Sequence, residues 1–315
     1  MKRRPSVRNR HIFRTSVGQR KLGMVSKPRS KMRYHKRGNH MTAVIRTTTQ
    51  QGVYQIAKTH FEKFTVPFTL ELVYQPAQTS ADKIAVLTAE VLPKIQTYLD
   101  WLDQTFSPFL PDSELSRFNR GELTLAATSD GFWTVWQLAE TALKDTQGLF
   151  NAWHAGVYDP IGLVKGWGIA QCVTRFLAPL LATEYDLVAV GLNGGGDMQL
   201  LTRESVTDWT WEIGIQDPKK PDQVLAHLAL HSGAVATSGT VARGEHIAYQ
   251  TTGRHALSAT VVTDDLTTAD IWATSLIAAN FETFGFDQRV PGTGLLVAAN
   301  GDTRRWFAGQ EVAAC

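Results

Sequence analysis

The chain has 315 residues, 43% hydrophobic and 19% charged, enough for a large buried core and inconsistent with a globally disordered polymer. Its formal charge of +3 hides an asymmetry: residues 1–40 carry 14 of the 32 Lys and Arg and no acid, which leaves 18 bases against 29 acids elsewhere, a net −11. Two cysteines, Cys172 and Cys315, cannot alone build a disulfide framework or a zinc site, and no run approaches the ~18 apolar residues of a membrane-spanning helix.

Residues 1–40 form a basic leader without the apolar stretch of a secretory signal. Such tails can bind nucleic acid or anionic lipid. The simpler expectation is a disordered leader or an over-extended start, with Met41 as initiator, residues 41–315 as one domain, a cytoplasmic location and no nucleic-acid partner. The globular pattern begins near residue 54, and residues 64–74 alternate as a strand. Ile84, Leu87, Val91, Leu92, Ile95, Leu99 and Leu102 recur at helical spacing and predict a helix over 81–105. The proline-bearing stretch 106–116 reads as a loop ending near a helix cap.

Further helices are expected at 128–146, closed by Gly148, and at 163–180, stopped near Pro179. An apolar strand at 187–192 leads into Asn193-Gly-Gly-Gly-Asp197. Strands at 209–215, 224–230, 234–237 and 259–263 follow, then a helix at 267–280 and a closing strand at 294–299. Hairpin-like strands among separated helices predict an α+β fold, with a mixed, largely antiparallel sheet and packed helices.

Four segments carry candidate chemistry. In Asp159-Pro-Ile-Gly-Leu-Val-Lys165-Gly-Trp-Gly168 a turn opens a helix, and its free amides and dipole suit a phosphate. Lys165, expected in the first helical turn, would add a full charge there; an ordinary turn with a solvated lysine is the competing reading. The three glycines before Asp197 let backbone approach a ligand, or simply permit a bulge where the strand ends. Asp197 itself could bind a hydroxyl or a metal-bound water. Asp270 and Thr274, four apart, share one helix face and could both ligate a hard cation. Equally, Asp270 could complement the helix dipole while Thr274 bonds back to a carbonyl. Ala236-Thr-Ser-Gly239, followed by Gly244-Glu-His246-Ile247, brings a histidine whose neighbourhood alone assigns it no role.

In this order the segments resemble the ApbE family, the FAD:protein FMN transferases, from about residue 60 to 300. The motifs are Phe109-Leu-Pro-Asp-Ser-Glu-Leu-Ser-Arg-Phe-Asn119, Asp159 with Gly162, Lys165 and Gly166, Asn193 to Asp197, Trp211-Glu-Ile-Gly-Ile-Gln-Asp-Pro218, Ala236 to Gly239, and Ala269 to Thr274. The resemblance implies magnesium held by Asp270, Thr274 and the Gly162 carbonyl. It implies FAD contacts from Phe109, Leu149, Phe150, Asn151, Asp159, Lys165 and the region of His246 and Ile247. The implied reaction transfers FMN from FAD to a Thr or Ser of an acceptor protein and releases AMP, with His246 or Asp270 as base. Departures exist: Asn151 replaces an acid, Phe109 a tyrosine, and Phe64-Thr-Val66 stands where the family has M-G-T. The segment after His246 lacks the family's Asp and Pro. A FAD pyrophosphatase using the same site, or a silent flavin-binding protein, are the alternative readings.

Overall fold

The computed structural model describes the backbone of Phe13–Arg14 and residues 44–154, 156–239 and 254–312. Apart from Phe13–Arg14, the expected leader lies outside the described residues, as do Met41, His246, Ile247 and Cys315.

Ten strands form one antiparallel sheet. In spatial order they are β15 (Gln310–Val312), β14 (Thr303–Phe307), β13 (Thr293–Ala298), β12 (Ala256–Thr263), β11 (Gly233–Gly239), β8 (Asp197–Thr202), β7 (Ala189–Gly194), β4 (Val66–Tyr74), β3 (Tyr54–Lys63) and β2 (Ile45–Gln51). A smaller sheet joins β9 (Trp211–Gln216), β10 (Val224–Leu230) and the two-residue β1 (Phe13–Arg14), which pairs with His227 and Leu228 of β10. A short hairpin, β5 (Trp153–His154) and β6 (Val157–Tyr158), stands apart.

The central strands of the large sheet are buried on both faces, while its edges at β2 and β15 are exposed, and strand alternation divides the side chains between the faces. Phe68, Leu70 and Leu72 of β4, Val190 and Leu192 of β7 and Ala234 and Ala236 of β11 face the helices; Val73, Ala189 and Val235 join the core under β9 and β10. On the ribbon side Trp211, Ile213 and Ile215 are buried while Glu212, Gly214 and Gln216 are exposed. The helical layer comprises α1 (Ala81–Phe106), α2 (Glu114–Asn119), α3 (Asp130–Asp145), α4 (Ile161–Cys172) and α5 (Leu266–Ala278). Serine side chains cap the starts of α1, α2 and α3, and Asp265 caps α5. No helix among the described residues is long and apolar enough to cross a membrane.

The α+β expectation holds, with three adjustments. The helix expected over 163–180 begins at Ile161 and is α-helical only to Cys172, continuing as a π turn at 173–177 and a 3-10 turn at 178–182 that contains Pro179. Proline lacks the amide needed to extend regular helix, which accounts for the degraded end. The strand at 293–298 does not close the sheet, because β14 and β15 follow it. Residues 64–65 are not strand: Phe64 (φ 56°) and Thr65 (φ 60°) form the two-residue turn joining β3 to β4, whose pairing closes at Lys63 and Val66.

Candidate functional site

Two helices supply the centre of the site. On α4, Gly162 and Gly166 are one turn apart, and on α5, Asp270 and Thr274 are likewise one turn apart. The glycines bring the helices close: a Cβ on Gly166 would lie 2.7 Å from Asp270 Cβ and 2.9 Å from its Oδ2. A Cβ on Gly162 would meet the Phe150 ring at 3.2 Å and the Thr274 methyl at 3.6 Å. Asp270 is fully buried, and its Oδ2 accepts the Gly166 N–H at 3.0 Å. That amide's ordinary helical acceptor would be the Gly162 carbonyl. Asp270 is the fifth residue of α5 and buried, so it is not a first-turn acid tempering the dipole; Asp265, whose carboxylate accepts the Thr268 N–H at 2.9 Å, holds the N-terminus. Thr274 is one of two residues of α5 that are not buried, and its hydroxyl meets Ser238 Oγ of β11 at 3.2 Å.

The second charged group lies beside the first. Lys165 is the fifth residue of α4, in its second turn rather than its first, because the helix opens at Ile161, two residues earlier than expected. Its ammonium forms an ion pair with Asp197 Oδ2, and Asp197 Oδ1 accepts the Thr237 N–H of β11 at 2.9 Å. Asp197 stands at the start of β8, opposite Gly194, after a tight turn at Gly195 (φ 65°) and Gly196 (φ 102°). The glycine run therefore serves a two-residue hairpin that needs positive φ, rather than a bulge.

Of the other expected residues, Leu149, Phe150, Asn151 and Asp159 lie between α3 and α4, and Phe109 on the loop before α2. Asp159 Oδ1 accepts the Ile161 N–H at 3.1 Å and so fixes the opening of α4. Asn151 Oδ1 accepts the Trp153 N–H at 2.8 Å, a bond an aspartate would also make, so the amide keeps the turn. Phe150 is buried against Gly162, and Leu149 beside it is partly exposed. Phe109 is 62% exposed on the loop before α2. The Ser-Glu-x-Ser-x-x-Asn motif is largely structural. Ser113 Oγ donates to the Ser107 carbonyl and caps α2, Glu114 accepts the Ser129 N–H, and Asn119 pairs both its amide groups with the Tyr158 backbone at 2.9 Å. This last pairing anchors the strand that leads into Asp159. Burial, with the charges of Glu140 and Asp159 adding, pushes the Tyr158 phenol far up, so it stays neutral and is no candidate base.

The donor set fits a hard, oxygen-seeking cation: one buried carboxylate, a threonine hydroxyl open to the site, and a carbonyl at the start of α4. No group of three or more His, Cys, Asp or Glu among the described residues could form a softer, all-protein metal cage. A single carboxylate with neutral oxygens suits magnesium, which retains much of its water. Sequence reasoning passed over Ser238, the Thr237 amide and the Gly166 amide. The backbone groups carry no side-chain signal, and Ser238 is brought to Thr274 only by strand–helix packing.

The ApbE family model matches residues 68–170 and 158–285, most of the chain. The chain belongs to the ApbE family. Among solved structures, it is similar to the flavin transferase ApbE from Vibrio cholerae at TM-score 0.54 and 17% identity, covering 85% of this chain and 97% of that one. The ApbE protein of Thermotoga maritima matches at TM-score 0.60 and 17% identity, over 80% of this chain and 97% of its own. The Pseudomonas stutzeri flavinyl transferase ApbE, in its apo form, matches at 0.58 and 15%, over 86% and 98%. At these identities the likeness establishes the fold. Comparison with curated proteins gave no match.

Proposed function

We propose that the protein is a magnesium-dependent FAD:protein FMN transferase, with FAD as donor and a Thr or Ser of an acceptor protein as recipient. The observation that carries the reading is the meeting of α4 and α5, where Asp270 and Thr274 face Gly162 and Gly166 while Lys165 stands next along the chain. Family membership and the transferase names of the similar structures support it.

Asp270, Thr274 and the Gly162 carbonyl would hold magnesium. The bound ion supplies charge neutralisation at the FAD pyrophosphate, which otherwise repels an attacking oxygen. Lys165 orients the phosphates from the other side; the first-turn amides of Ile161, Leu163 and Val164 are already taken by Asp159 and the Pro160 carbonyl. The acceptor hydroxyl attacks the FMN-side phosphorus, the new P–O bond forms as the bridging P–O bond breaks, and AMP leaves with the electron pair. The hydroxyl proton passes to His246 or Asp270. Burial of Asp270 and its bond to the Gly166 amide favour His246 for that task. Phe109, Leu149, Phe150, Asn151, Asp159 and Ile247 complete the proposed flavin surroundings, with Phe150 acting as wall rather than contact because it is buried.

The test is AMP release from FAD with magnesium, with and without a threonine-bearing acceptor peptide, together with the peptide's mass. Acceptor-dependent AMP with an added FMN mass is expected. AMP and free FMN regardless of acceptor would replace the transferase with a pyrophosphatase; binding without either product would leave a silent flavin binder.

A further inference from the structure

Asp197 is 1% exposed, yet it carries a charge and joins two elements of the site. Its Oδ1 takes the Thr237 N–H of β11 and its Oδ2 takes the ammonium of Lys165 on α4. The next residue of β11, Ser238, bonds Thr274 on the α5 face that carries Asp270. One strand thus mounts both the lysine and the proposed cation ligand. A buried ion pair is a poor device for stability alone, since an apolar pair of like volume commonly serves as well. It does restrict a lysine, whose flexible stem otherwise samples many rotamers. An ammonium has three N–H donors, so a bond to Asp197 leaves others for a second anion. The Lys165 side chain is 22% exposed, so that face is reachable from solvent.

We propose that Asp197 is a positioning residue: it fixes the Lys165 ammonium against β11 so that it meets the phosphates of the flavin substrate. The inference rests on the reading of the site as one for FAD. The experiment compares binding of FAD and of riboflavin, which lacks phosphate, to the wild type, D197N, K165M and D197N/K165M. D197N retains an acceptor for the Thr237 amide but loses the charge that holds the lysine.

D197N should weaken FAD binding about tenfold, the size of one charge-assisted hydrogen bond, and leave riboflavin binding unchanged. The double variant should bind FAD no more weakly than K165M, because Asp197 acts through Lys165. Equal loss for riboflavin, loss of FAD binding that persists on the K165M background, or unchanged FAD binding in D197N would each overturn the proposal. A merely structural role would lower the melting temperature and weaken both ligands alike. If D197N folds poorly, the doubly neutral variant carries the test, and any loss beyond that of K165M overturns it. If the binding pattern holds while the wild type neither releases AMP nor labels an acceptor, the transferase reading falls and the assignment of Asp197 stands.

Discussion

As the proposed cation ligand, Asp270 can be probed at the scale of a single carboxylate. It is fully buried, and one oxygen is occupied by the Gly166 amide. Asp270→Ala should reduce magnesium-dependent AMP release about a hundredfold or more, in keeping with the several kcal/mol a metal supplies to such a transition state. The fold should survive, with a loss of about 1–3 kcal/mol from the Gly166 amide left without its acceptor. Circular dichroism and AMP release, measured together, separate the two effects. Unchanged turnover would remove Asp270 from the site. Gly166 is an equally direct probe. An alanine there would push a methyl to 2.9 Å from both Asp270 Oδ2 and the Leu266 carbonyl, neither of which can rotate far out of the way. Gly166→Ala should destabilise by about 1–3 kcal/mol by overpacking and raise the magnesium concentration for half-maximal activity. A melting temperature and magnesium dependence equal to wild type would contradict the close approach of α4 and α5.

The elements best read from sequence were those whose pattern is local. The 3.6-residue repeat of α1 and the cap at the end of the 106–116 loop are legible because each depends on neighbours along the chain. Sequence pattern assigns no strand at β1, β2, β3, β5, β6, β8, β14 or β15. β2 is polar and largely exposed, β14 carries two arginines, and β8 follows its turn without a break in composition, so none announces itself by apolar alternation. The turn between β3 and β4 is a case where local preference loses to the sheet. Thr65 holds φ 60° although it is β-branched, a conformation that costs about 1–2 kcal/mol. Thr65→Gly should therefore raise stability, by about 1 kcal/mol once glycine's own backbone entropy is deducted. Chemical denaturation would check this, and a lowered midpoint would mean that the threonine side chain contributes more than its backbone costs.

At the scale of the whole molecule, the site was legible as a set of motifs but not as a geometry. Spacing and residue chemistry mark Asp270, Thr274 and Lys165 as candidates, and the family pattern adds Gly162. That Asp197 partners Lys165, and that Ser238 meets Thr274, required the strand order to be known. Charge is also distributed at this scale. The leader carries 14 bases and the remainder is net −11, while α4, β8, β11 and α5 lie outside residues 1–40. Deleting residues 1–40 should abolish retention on an immobilised polyanion and leave FAD turnover within about twofold of wild type. A large loss of turnover would give the leader a part in the chemistry.

The pairing of Asp270 with Gly166 joins residues 104 apart in the chain, and α5 is the last of the helices. Hairpins such as β3–β4 can close as soon as they are synthesised, because their ends are near; the α4–α5 contact must wait until nearly all of the chain has emerged. A nascent chain stopped before residue 266 would contain Lys165, Asp197 and the glycines of α4 and still lack Asp270 and Thr274 of the proposed cation site. Acquisition of magnesium affinity during synthesis should consequently mark the end of folding, and its disappearance on heating should coincide with loss of the whole tertiary structure rather than precede it.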